Sequence, residues 1–237
     1  MFRKHLSLSE KEWYGLLVAA LFLGFMFSFR KWGEGTPDIS AGLMAMAVAS
    51  LLSLLAVATH LFSQKISGLY MGYTVKWSVE IPSLIVSLVL CFITAGYLVL
   101  PLYGSIQMDP VQELRFGRRP GFRFYHLGWT AVVGSVTNLV FALVLRLIWN
   151  FIHLALVQDL AIINLMIAIA MSLPVPTADG LHLFFASRTD YVAFFSTVLI
   201  FSLLLSTQLS VLWLLMITGL FALCAWIGYW LIEKNIR

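Results

Sequence analysis

Charge is what this chain lacks. Only 11% of its 237 residues are Asp, Glu, Lys or Arg, while 61% are hydrophobic and the mean hydropathy is +0.93. Soluble domains are about 25% charged and about 45–50% apolar. A soluble enzyme domain of any size is therefore excluded, and an integral membrane protein with one compact helical domain is implied. Cysteine is equally scarce: Cys91 and Cys224 both lie in apolar segments. They form neither a disulfide framework nor a zinc knuckle. There is no internal repeat and no low-complexity linker. No nucleic-acid partner is expected; membrane lipids and other transmembrane segments are.

What is there is a succession of apolar runs. A spanning helix needs about 20 apolar residues. Candidate spans are 13–29, 39–62, 128–156, 160–173, 191–209 and 211–232, about six in all. Trp13, Tyr14, Trp32, Trp77, Trp129, Trp226 and Trp230 fall near their ends, as interfacial aromatics do. The basic N-terminus leads into the first run without a small-residue cleavage site, which reads as a retained span rather than a signal peptide. "SLSEKEW" predicts a helix start with Ser7 or Ser9 as the cap. Beta signal is sparse; the alternating "GYTVKWSVEI" (72–81) predicts one short strand.

One apolar segment, 81–104, is long enough to cross once and too short to cross twice. The distribution of basic residues arbitrates. With the N-terminus cytoplasmic, a crossing would place Arg115, Arg118, Arg119, Arg123, Arg188, Lys234 and Arg237 outside. If the segment enters and leaves by one face, all seven fall inside with Lys65 and Lys76. The second layout is expected, with Pro82, Gly96 and Pro101 breaking the helix. Both termini are then cytoplasmic.

Polar residues inside apolar runs are functional candidates by default. His60 sits near the end of one run, with Gln64 four residues on. Gly134 and Asn138, also four apart, share a helix face in "AVVGSVTNLVFAL". Pro174 and Pro176 break a helix just before Asp179-Gly180, and His182 follows. In this order, "HLFSQ", "GSVTN" and "LPVPTADG" resemble the three core motifs of the site-2 proteases, which are intramembrane zinc peptidases. Those motifs are H-E-x-x-H, a G-P-x-x-N-like stretch, and N-L-x-P-x-P-x-x-D-G. The stretch between the first two motifs, "ITAGYLVLP" and "RRPGFRFYHLGW", is also similar to prokaryotic members. The resemblance covers about residues 41–187. It implies a first span and loop (1–38), a site-2-protease-like core (39–187) and two further C-terminal spans (188–237). The expected fold is thus an all-α membrane protein built around a three-helix core.

By this resemblance His60 matches the first zinc histidine and Asp179 the zinc aspartate. Leu61 stands in place of the catalytic glutamate, Gln64 of the second histidine, Met171 of the third motif's asparagine and Ser135 of the second motif's proline. Zinc hydrolysis of a peptide needs three protein ligands, a bound water and a base. Leucine is no base, and a neutral amide is a poor substitute for imidazole. His60, Gln64 and Asp179 thus read as vestigial metal positions with no catalytic residue, and no cofactor is expected. The outcome is a pseudoprotease that binds transmembrane segments, or a subunit or regulator of a membrane complex.

Two other readings compete. One is a zinc metalloprotease with altered ligands, His182 joining His60 and Asp179, and Glu80 or Asp109 serving as base. The other is a transporter-like or channel-like subunit whose polar path is lined by His60, Asp179 and Asn138. Each residue also has a structural role open to it. His60 can bond a neighbouring helix, Gln64 can face solvent or a loop, and Asp179 can be a turn residue. Gly134 and Asn138 can serve helix packing. Arg115, Arg118, Arg119 and Arg123 can form a lipid or partner patch.

Overall fold

The computed structural model describes residues 6–33, 38–111, 124–207 and 209–236. Helix α1 (Glu10–Ser28) runs into a 3-10 turn, and α2 (Ile39–Tyr70) follows. Next come β1 (Tyr73–Val79), α3 (Ile81–Ile93) and β2 (Gly104–Pro110). The rest is α4 (Phe124–Trp149), α5 (Ala155–Met171), the short α6 (Asp179–Ala186), α7 (Arg188–Leu205) and α8 (Val211–Ile236). Among the described residues, five helices are long and apolar enough to cross a membrane: α1 with its 3-10 turn, α2, α4, α7 and α8. The expected 160–173 span is α5, which starts earlier and has 17 residues. At 1.5 Å per residue it is about 26 Å long, short of a hydrocarbon core of about 30 Å. It ends where Pro174 and Pro176 forbid further helix.

The start of α1 is written in its sequence. The Ser9 hydroxyl accepts from the Glu12 backbone N–H, and the Glu12 carboxylate accepts from that of Ser9. This reciprocal pair satisfies two donors that a helix start leaves open. Asp38 caps α2 by accepting from the Ala41 N–H.

The bundle is organised on α2, which packs against α1, α4, α5 and β1. Gly68 lies beside Thr130 and His60 beside Gly134, so α2 and α4 run antiparallel. The main core gathers Leu16 and Leu23 of α1, Val57 and Leu61 of α2, Ile167 and Met171 of α5, and Tyr103 before β2. A second cluster joins α4 and α5 to α7 and α8 through Leu139, Ala168, Phe201 and Leu214.

Two expectations change. The fold is not purely α: β1 and β2 form an antiparallel ribbon in register from Tyr73↔Pro110 to Val79↔Gly104. Only β1 was signalled by alternation; β2 is recruited by pairing. And α2 runs past the 39–62 apolar stretch to Tyr70, with Gln64 and Lys65 buried on its added turns. His60 therefore lies well inside the helix. Because Val79 and Gly104 are paired, the segment between them leaves and returns at the same end of the ribbon.

Candidate functional site

His60, Gln64 and Asp179 meet at one buried point. His60 and Gln64 are one helical turn apart on α2, so they share a face. Asp179 opens α6, delivered by the loop after α5. The three residues are 2%, 1% and 1% exposed. His60 Nε2 lies 2.7 Å from Asp179 Oδ2 and donates to it. Gln64 Nε2 donates to Asp179 Oδ2 at 3.0 Å and to the Ala131 carbonyl of α4 at 2.7 Å. Both partners are acceptors, which fixes the amide's nitrogen end toward them. The same nitrogen sits 3.1 Å from His60 Nε2.

Glycines allow this closeness. A Cβ at Gly134 would run into the His60 imidazole. One at Gly180 would run into the Ser172 carbonyl, so α6 can fold back against the end of α5 only with glycine there. The loop between is held by Thr177, whose hydroxyl lies 2.7 Å from that of Ser83 on α3. Thr177 has φ 72°, left-handed backbone that a β-branched residue rarely adopts. The Tyr103 ring stands edge-on to that of His60, their centroids 6.0 Å apart. Burial, and then the nearby Asp179 carboxylate, push the Tyr103 phenol well above its usual range.

The donor set does not fit zinc. It offers one imidazole, one carboxylate and the nitrogen of an amide, which has no lone pair to give a metal. Ligands about 2.0–2.1 Å from a tetrahedral zinc lie about 3.3 Å apart. His60 and Asp179 are at hydrogen-bond distance instead. A zinc histidine also rests its second nitrogen on a partner, whereas His60 Nδ1 has no hydrogen-bond partner among the described residues. Nor do three His, Cys, Asp or Glu side chains gather anywhere among the described residues.

The remaining candidates are distributed as follows. His182 lies on α6 but does not complete a three-ligand group with His60 and Asp179. Burial pulls its imidazole below the usual range, with Asp179 acting in the opposite sense. Leu61, at 1% exposed, packs in the main core and has no group to move a proton. Glu80 accepts from Ser78 and Ser105. Asp109 pairs with exposed Lys76 at 2.7 Å. Both carboxylates are thus engaged on the ribbon rather than at His60. Ser135 and Asn138 are fully buried on α4. Arg115, Arg118, Arg119 and Arg123 lie outside the described residues. Gln64, for which a solvent or loop position was open, is instead the central donor of the cluster.

Two buried polar arrangements escaped sequence reasoning. Glu12 and Lys65 form an ion pair at 2.8 Å, their side chains 7% and 3% exposed. Glu12 Oε1 also accepts from Trp77 N–H at 3.0 Å, and Lys65 donates to the Val75 carbonyl at 3.2 Å. The pair thus pins β1 to α1 and α2. Lys65, counted among the inside charges, is buried in this pair. The second is Arg146, whose guanidinium donates to the carbonyls of Leu204, Leu205, Thr207 and Leu209, satisfying the end of α7. The capping serine before Glu12 hinted only at its local bond; nothing local signals the rest.

Fold and site together define a helical protein with membrane-length apolar helices and a buried His-Gln-Asp cluster at their centre. Comparison with protein-family models, with curated proteins and with solved structures returned no match.

Proposed function

We propose that this chain is a site-2-protease-like membrane protein that does not cut peptides, and that it binds transmembrane segments or acts as a subunit or regulator of a membrane complex. One observation carries the reading. The residues at the three motif positions converge, yet they are joined directly, His60 and Gln64 both donating to Asp179 Oδ2. Such a cluster ties α2 to α4 and α6 and engages its imidazole and its carboxylate with each other. Leu61 beside it supplies apolar packing where hydrolysis would need a carboxylate.

In this reading six helices surround the core, α5 included, and segment 81–104 enters and leaves the membrane by the cytoplasmic face. The return of that segment to the Val79↔Gly104 pair supports this, as does the length of α3, 13 residues or about 20 Å. Lys76 and Gln107 are register partners, so cysteines at the two positions should label from the same side. The termini are cytoplasmic, and lipids and transmembrane segments are the partners.

The test is incubation of the purified protein with transmembrane peptides, reading both binding and cleavage. Saturable binding without cleavage is expected. Cleavage abolished by His60→Ala, with zinc bound in equal amount, would establish the competing metalloprotease.

A further inference from the structure

The ends of α4, α5 and α7 that lie away from the His60 cluster enclose a groove of about 540 Å³. Ligand pockets run from about 300 to about 1,000 Å³. On α4 the groove reaches Arg146, twelve residues beyond Gly134 and so about 18 Å further along the helix. Helices α4 and α7 are both of membrane length and both end here, which sets the groove at the level of a membrane surface. Trp149 lines it, with the His153 ring edge-on at 5.4 Å, as interfacial aromatics do.

Its charge is one-sided. Arg146 and His153 line the groove, and among the described residues no Asp or Glu does. No carboxylate among those residues lies within ion-pair distance of Arg146. The guanidinium is gripped instead by the four carbonyls at the end of α7. Carbonyls are neutral, so they fix the group in place and leave its positive charge. All four bonds run through the two terminal nitrogens, and Nε–H has no acceptor among the described residues. Asp159 of α5 lines a separate groove against α2, where it pairs with Lys31 at 3.5 Å.

The rest of the lining is amphipathic. Asn150, His153 and Gln158 are exposed and carry N–H donors, while Leu145 and Leu165 form an apolar wall. A metal cation is repelled by Arg146. A neutral ligand leaves the guanidinium charge unmatched. A zwitterionic headgroup brings an ammonium for which the groove has no acid. A phosphate diester with apolar chains and no ammonium suits both halves, its oxygens meeting the donors and its chains the leucines. We propose that this groove binds an anionic phospholipid, its phosphate toward Arg146 and an acyl chain along Leu145 and Leu165. The site is separate from the His60 cluster, and the inference stands whether or not the protein is a pseudoprotease.

Native mass spectrometry of the full chain tests this, with the protein delipidated in detergent and titrated with phosphatidylglycerol or with phosphatidylcholine of the same chains. One basic group near an anionic lipid is worth about fivefold in affinity, so phosphatidylglycerol should bind about fivefold more tightly. Gln158 makes no side-chain hydrogen bond among the described residues and is exposed, so Gln158→Glu places an acid in the groove without touching Arg146. That variant should remove the preference, and His153→Glu should do the same if the first does not fold. Millimolar inorganic phosphate should leave the bound lipid in place. Equal affinity for the two lipids in the unmodified protein would overturn the proposal. So would a preference that survives the acidic variant, since the lipid would then sit elsewhere, for example beside Arg115 and Arg123. Displacement by inorganic phosphate would overturn it too, by showing a site for a free anion rather than a lipid.

Discussion

Replacing Asp179 with alanine removes an acceptor that two buried donors share. His60 Nε2 at 2.7 Å and Gln64 Nε2 at 3.0 Å both lose it, in surroundings where all three residues are at most 2% exposed. Each buried donor left unmet costs about 1–3 kcal/mol, so Asp179→Ala should cost about 2–6 kcal/mol. Gln64 keeps its bond to Ala131, which places the expected value in the lower half of that range. Asp179→Asn keeps one acceptor oxygen and should cost clearly less. Thermal unfolding in detergent, with both variants in the same conditions, measures the pair. If Asp179 were only a turn residue before Gly180, both substitutions would stay within about 0.5 kcal/mol of the unmodified protein, and that result would refute the cluster as a structural unit.

Other consequences follow from the packing. Lys65→Met strands Glu12 in the interior and should cost about 3–5 kcal/mol; adding Glu12→Gln should recover most of it, read as coupling in a double-mutant cycle. Gly134→Ala pushes a methyl into His60 and should lower stability by about 1–3 kcal/mol. Gly219→Ala, in α8 where no atom lies within 4 Å of the added carbon, should instead stabilise by about 0.5–1 kcal/mol; unfolding midpoints of the two variants test the contrast.

Much of the helical layout was legible because apolar runs of membrane length admit few alternatives. His60 and Asp179 were legible through motif order. Gln64 was legible as a motif position too, in place of the second histidine, but its role as a shared donor was not, because its partners Ala131 and Asp179 come from α4 and α6. The Glu12–Lys65 pair joins residues 53 apart in sequence, beyond the reach of capping or periodicity. Strand β2, "GSIQMDP", has too short an alternation to announce itself and exists because β1 offers it a register. The turn back toward the ribbon was signalled by Gly96 and Pro101, and Gly96 does adopt φ 76°, whereas Pro82 breaks no helix and instead stands in the first turn of α3.

The central claim is that direct hydrogen bonds among His60, Gln64 and Asp179 take the place of a metal. Zinc content settles it most directly, measured by elemental analysis after the purified protein is equilibrated with zinc and passed through a desalting column. Gln64→His serves as the positive control, since it puts a second imidazole one turn from His60 and beside Asp179. The account predicts far less than one zinc per chain for the unmodified protein and a clear gain for Gln64→His. One zinc per chain in the unmodified protein, lost on His60→Ala, would contradict it.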